Sequence, residues 1–168
     1  LFDTFGVSYP KNGMTWDEAL EISKKMTRMY DNKPIVGLSF NTTLMVRLNP
    51  YSLPLVDEKT EKPTINTDAK WKKLYQLFYD ASTDQIYQDI LKAKSNFPYT
   101  PEFLSGQVGM LIGNSNIAYI YPEERLTGFN WDMVSMPTFS DAPGTGSQPF
   151  PWYFSITSKS TNKNAAMQ

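Results

Sequence analysis

The side chains of this sequence that could do chemistry are amides, hydroxyls, carboxylates, amines and aromatic rings, because its 168 residues include no histidine and no cysteine. That composition excludes Ser-His-Asp and Cys-His nucleophilic sites, His or Cys metal cages, and disulfides. Any catalysis would rely on carboxylate, lysine, tyrosine or hydroxyl groups. Adjacent acids such as Glu123 and Glu124 lack the fixed spacing of a glycosidase acid and base, so we predict solvated surface there.

Polar residues follow two short apolar segments that are typical of buried strands, residues 35–40 and 108–112. The first segment leads into Asn41, Thr42 and Thr43, and the second leads into a turn that contains Asn114 and Asn116. Amide and hydroxyl groups at strand ends can hydrogen-bond a polar ligand, so these residues are candidate ligand contacts. A local interpretation stays open for both: Asn41 as a cap of the next segment, and residues 113–116 as turn formers.

Two adjacent aromatic residues, Trp152 and Tyr153, follow a segment (residues 138–151) rich in proline, glycine and small polar residues. Their flat faces could stack on the apolar face of a ring-shaped ligand, or they could fill the core between layers. Trp16 and Trp71 lie on apolar stripes at helical spacing, so we predict that both are core residues.

The helix with the clearest pattern begins at Trp16, where Thr15 and Glu18 have the spacing of a capping box, and its apolar stripe continues to Tyr30. A second helix follows Asp68, with an apolar stripe that includes Tyr75. Residues 49–63 are predicted to be an exposed loop that contributes only Leu53 and Leu55 to the core. Further helices are predicted at residues 100–105, 117–126 and from 163, and further strands at residues 131–136 and 152–157. Residues 84–94 fit either a helix or a loop that carries Asp84 and Asp89. Helices that alternate with isolated short strands predict an α/β fold with helices packed on a short central sheet.

Four segments of the sequence form a pattern by their order and spacing: LFDTFGV at residues 1–7 with TWDE at 15–18, FLSGQVGM at 103–110, DMVSMPT at 132–138, and residues 152–166. Together they resemble the extracellular solute-binding proteins of bacterial ABC importers, specifically the carbohydrate-binding, maltose-binding-protein-like group. Within that group, maltose-binding protein carries an aromatic residue at the position of Asn116, and this difference argues against a maltodextrin as the ligand.

The resemblance implies a two-lobed periplasmic-binding-protein-like fold in which ligand is held in the cleft between two α/β lobes. Residues 1–143 would form most of the second lobe. Residues 144–168 would form the crossing loop, the return strand and a truncated helix start of the other lobe. The chain begins at Leu1 without methionine and ends at the start of a helix, as expected for a piece of a longer protein.

The function implied by the resemblance is capture of an extracellular oligosaccharide for delivery to the membrane permease subunits of an ABC transporter, without catalysis. Asn41, Thr42, Thr43, Asn114, Asn116, Trp152 and Tyr153 would contact the sugar. No cofactor or metal is expected. Two alternatives stay open: a carbohydrate-active enzyme that uses carboxylates, and a passive surface interaction domain that exposes residues 49–63.

The charge balance, 16 Lys and Arg against 17 Asp and Glu, disfavours binding to nucleic acid through bulk charge. The longest apolar run, residues 117–121, is far shorter than the roughly 20 residues of a membrane span. The resemblance further implies a monomeric receptor outside the cytoplasm, either periplasmic or anchored as a lipoprotein through a segment outside this sequence.

Overall fold

A short mixed sheet organises the fold, with strands β1 (Arg28–Tyr30), β2 (Lys33–Phe40) and β3 (Val108–Ile112) in the order β1-β2-β3. The structure is a computed structural model that describes residues 1–94, 100–120, 128, 130–149, 153 and 155–166. β1 pairs antiparallel with β2, and β2 pairs parallel with β3. The helices are α1 (Phe2–Phe5), α2 (Trp16–Met26), α3 (Thr42–Arg47), α4 (Ala69–Ser82), α5 (Gln85–Lys94), α6 (Thr100–Leu104), α7 (Ile117–Ile120) and α8 (Lys163–Ala166).

The predicted α/β class, a short central sheet flanked by helices, is confirmed. Helices α2 and α5 both contact β2, and α6 contacts β3. The main hydrophobic core joins α2, β2 and α4 and is built around Trp16, Leu38 and Trp71, all at most 2% exposed. A smaller cluster joins β2 to α5 through Val36, Tyr87 and Ile90. Helix α2 begins at the predicted capping box: the Glu18 amide donates to Thr15 Oγ1, and the Thr15 amide donates to Glu18 Oε2 at 2.7 Å.

Helix α2 ends at Met26, so the prediction that it continues to Tyr30 is wrong. Residues 28–30 instead form β1, which pairs with β2 across a two-residue turn at Asp31 and Asn32. Both turn residues have positive φ, 47° and 57°, as required in the tight turns whose twist matches a right-twisted hairpin. Pairing with β2 satisfies part of the backbone groups of residues 28–30, and this gain from the hairpin outweighs the helical pattern that local propensity supports.

The long segment before α4 is an irregular loop, as predicted, but its core contribution differs from the prediction. Leu53 is buried, whereas Leu55 is 47% exposed and Asn49 is completely buried. In α4 the inward stripe uses Leu77 at 3% exposure, while Tyr75 lies 41% exposed. The differences at Leu55 and Tyr75 each concern an apolar residue near another apolar one, and the extended or helical pattern alone does not decide which is buried. Asn49 is polar, and its burial was not predicted.

The strand predicted at residues 131–136 is absent: these residues form no ladder among the described part of the chain. Side chains hold this extended segment instead, since the Ser135 amide donates to Asn12 Oδ1 at 2.7 Å and the Gly13 amide donates to Ser135 Oγ at 2.8 Å. The described positions of the strand predicted at 152–157 also carry no strand. Residues 121–126 of the helix predicted at 117–126, and Glu123 and Glu124 with them, lie outside the described residues. The predicted division of the chain after residue 143 stays a prediction.

Candidate functional site

The carboxyl ends of β2 and β3 meet at one edge of the sheet, because the two strands are parallel and Phe40 pairs with Ile112. The chain therefore leaves the sheet at Asn41 and at Gly113 side by side. In α/β proteins, crevices outside the carboxyl ends of parallel strands are the usual place for ligand sites. The two polar segments singled out from the sequence thus lie at the same edge.

A cavity of about 350 Å³ opens beside the end of β3, within the range of roughly 300–1,000 Å³ typical of small-molecule sites. Asn114 and Asn116, both half-buried, line one part of it. Among the described residues, the side chains that line this cavity are amides and hydroxyls together with a proline ring, and none of them carries a formal charge. The lining residues are Gly113, Asn114, Ser115, Asn116, Ser147, Gln148 and Pro149.

The second part of the lining comes from residues 147–149, which sequence reasoning assigned only to a connecting loop. The Gln148 amide donates to the Leu48 carbonyl at 3.1 Å, at the carboxyl end of α3. This bond holds the loop against the helix that starts at Asn41. The segment's glycines and prolines predict a loop correctly, but they carry no information about where a loop is attached, so Ser147 and Gln148 were missed.

The residues at the end of β2 do not line this cavity. The Asn41 side-chain oxygen accepts from the Leu44 amide at 3.0 Å, which caps α3 as the local interpretation proposed. Thr42 is half-buried and Thr43 is exposed in the first turn of that helix. The cap uses at most one of the acceptor positions of the Asn41 side-chain oxygen, so it does not exclude a hydrogen bond to a ligand. A contact of Asn41, Thr42 or Thr43 with a ligand therefore stays a prediction.

The aromatic pair is only partly described. Tyr153 is 86% exposed, so it is no core residue, and Trp152 lies outside the described residues. A ring this exposed is free to meet a partner surface but contributes little to the unliganded fold. The sugar-stacking role of Trp152 and Tyr153 therefore stays a prediction.

A larger cavity of about 510 Å³ lies at the start of α4, where it is lined by residues including Asn66, Lys72 and Tyr75. No strand-end residue contributes to it. The amides of the first helical turn are already engaged in part, because Asp68 accepts from the Lys70 amide at 2.8 Å. We therefore place the candidate site at the carboxyl edge of the sheet. The α4 cavity serves as the control location for variants that test this site.

Among the described residues, His, Cys, Asp and Glu side chains form no group of three that could hold a metal ion. The described helices are also too short or too polar to cross a bilayer. The side chains that line the cavity offer hydrogen-bond donors and acceptors.

Comparison with family models and with curated proteins finds no match for this chain. Among solved structures, the chain is similar to the crystal structure of a sugar transporter from Rhizobium etli in an open conformation, with a TM-score of 0.64 and 24% sequence identity. The match covers 99% of this chain but 42% of that transporter. At this identity the similarity shows a shared fold, and the chain spans less than half the length of the protein that it matches.

Proposed function

We propose that this chain is a lobe of the substrate-binding component of an ABC importer, and that it captures an extracellular neutral oligosaccharide for delivery to a permease. The observation that carries the proposal is the uncharged cavity lined by Asn114, Asn116 and Gln148 at the carboxyl edge of the sheet. Ring hydroxyls that leave water need fixed donors and acceptors, and amide side chains supply both. The described part of the lining carries no charge, which favours a neutral ligand over a phosphorylated or acidic one.

Two further observations support the proposal. The four sequence segments resemble solute-binding proteins of importers, and a solved structure of similar fold is described as a sugar transporter. The chain's near-zero formal charge of -1 is in line with recognition through local hydrogen bonds and not through bulk charge. In this proposal the intact receptor is a monomer, acts without catalysis, and works outside the cytoplasm as a periplasmic protein or a lipoprotein.

The proposal is tested by ligand-induced stabilisation of the intact receptor with maltotriose, cellotriose, xylotriose and raffinose as probes. A cognate sugar at 100 times its Kd stabilises the folded state by about 2.7 kcal/mol, which shifts Tm by several degrees. Calorimetry then gives Kd for each probe that shifts Tm. The absence of a shift or a binding heat with all four probes would count against an oligosaccharide receptor.

Matched variants locate the binding site. Asn114→Ala should weaken binding of the active probe by about 10-fold or more, because it leaves buried ligand hydroxyls unpaired. Asn66→Ala, at the α4 cavity, should leave Kd unchanged. If Asn66→Ala weakened binding and Asn114→Ala did not, the binding site would instead be the cavity at the start of α4. Incubation with the same sugars separates the enzyme alternative, since a receptor returns them intact and a glycosidase yields products.

A further inference from the structure

The loop of residues 139–149 is fastened to the rest of the structure at both of its ends. Near its start, the Phe139 ring stacks on Tyr51 with ring centroids 4.5 Å apart and an interplanar angle of 18°. Near its end, the Gln148 amide bonds the Leu48 carbonyl. Between these points Gly144 adopts a φ of 75°, and Gly146 follows two residues later. Glycine restrains the backbone less than other residues do, so the path of residues 144–147 depends in part on these two attachments.

A polar cluster strengthens the first attachment. Asp141 accepts a hydrogen bond from the Tyr51 hydroxyl at 2.8 Å and forms an ion pair with Lys73 of α4. The Lys73 ammonium, followed by the Tyr51 hydroxyl, holds the pKa of Asp141 below its usual value. Tyr51 thus contacts the loop twice, through its ring on Phe139 and through its hydroxyl on Asp141. We call Tyr51, Lys73 and Asp141 the loop anchor.

We propose that the loop anchor is a positioning device for ligand binding, which sets the place of Ser147 and Gln148 in the cavity lined also by Asn114 and Asn116. The inference rests on the proposed function and adds positioning residues that lie outside the cavity. Hydrogen-bonding groups bind tightly only when they are held in place before the ligand arrives, because ordering them on binding costs affinity. An anchor that restrains a glycine-containing loop reduces that cost.

The test uses Tyr51→Phe, which removes the hydroxyl but keeps the ring that stacks on Phe139, and Asp141→Ala, which removes both polar contacts. The matched control is Glu21→Gln, which removes another exposed ion pair, Glu21 with Lys24 at 2.8 Å on α2. None of these side chains lines the cavity. All variants are made in the intact receptor.

Hydrogen–deuterium exchange without ligand is the first measurement. Both anchor variants should speed amide exchange in a peptide that covers residues 139–149 and leave exchange in residues 108–112 unchanged. Glu21→Gln should alter neither region. Unchanged exchange of the loop in Asp141→Ala would overturn the inference whatever the ligand is.

Calorimetry with maltotriose, cellotriose, xylotriose and raffinose is the second measurement. For a probe that binds the unmodified receptor, the anchor variants should raise Kd roughly 3- to 10-fold, while Glu21→Gln leaves it unchanged. If the loop anchor has only a structural role, its variants lower Tm but leave the Kd of the folded protein unchanged. That result overturns this inference and leaves the proposed function standing. Failure of the unmodified receptor to bind any of the four probes overturns the proposed function instead.

Discussion

At the scale of single residues, Asn49 is completely buried although it lies in a segment typical of an exposed loop. Its side chain donates to the Val46 carbonyl at 3.2 Å and to the Leu53 carbonyl at 3.0 Å, and it accepts from the Leu53 amide at 2.8 Å. These bonds satisfy backbone groups that would otherwise be buried without partners, and they hold Leu53 in the main core.

Asn49→Ala should therefore lower the free energy of unfolding by about 2–4 kcal/mol, because it leaves the amide and carbonyl of Leu53 without partners. Urea denaturation measures the change. Asn66→Ala, at an exposed asparagine, is the control and should stay within about 0.5 kcal/mol of the unmodified protein. An equally small effect at Asn49 would contradict the role assigned to its side chain.

Asp141 predicts a pH dependence. Its pKa is lower in the folded protein because Lys73 and then Tyr51 donate hydrogen bonds to the ionised carboxylate. A group with a depressed folded-state pKa contributes stability above its unfolded pKa, about 3.9, and that contribution is lost as pH falls through the folded value. The stability difference between the unmodified protein and Asp141→Ala should be constant between pH 5 and 8 and shrink below about pH 4. Denaturation across this pH range checks it, and a difference that grows in acid would contradict it.

At the scale of elements, the packing of α2 on β2 depends on Gly37. A Cβ at this position would lie 2.2 Å from the Ser23 carbonyl oxygen and 2.5 Å from the Ser23 Cα, so helix and strand touch backbone to backbone. The Gly37 amide also donates to Thr27 Oγ1 at 3.0 Å, just after the last turn of α2. The absence of a side chain at Gly37 thus sets how closely the helix approaches the sheet.

Gly37→Ala should destabilise the fold by about 3 kcal/mol or more, since the clashing atoms are backbone and cannot move aside as a flexible side chain would. Gly128→Ala is the matched control, because a Cβ there meets no atom of the described residues within 4 Å. Thermal denaturation of both variants compares them directly. Similar Tm values for the two would show that α2 can shift away from β2 at little cost.

At the scale of the whole molecule, the chain covers 42% of the sugar transporter whose fold it shares. In the proposed function, ligand binding favours lobe closure only through contacts with both lobes, because equal affinity for open and closed states shifts no population. One lobe alone offers only part of those contacts, whatever the quality of its own cavity.

Residues 1–168 expressed alone should accordingly bind the probe sugars much more weakly than the intact receptor does. Calorimetry of the two proteins with the same probe makes the comparison. Micromolar binding by residues 1–168 alone would contradict this expectation and would place the complete site within a single lobe.

Local signals in the sequence predicted most of the helices and both core strands. The capping box of Thr15 and Glu18 placed the start of α2, and the apolar run before Asn41 predicted β2. The end of α2 was missed because residues 28–30 fit either a helical stripe or a hairpin, and only pairing with β2 decides between them. The strand prediction for residues 131–136 is wrong for the same reason. A strand forms only beside a partner strand, and the sequence does not show which segment that partner would be.

The sequence by itself determined the α/β class, excluded sites built on histidine or cysteine, and identified the polar residues that follow β2 and β3. Composition and short-range periodicity are enough for these conclusions, because both can be read along the chain without knowledge of how it folds. Only the tertiary structure decided that Asn114 and Asn116 share a cavity with Ser147 and Gln148, more than 30 residues later. That juxtaposition depends on where a loop is fastened, at Leu48 and at the Tyr51–Asp141 contact. Such contacts arise from packing in three dimensions, and no spacing along the chain encodes them.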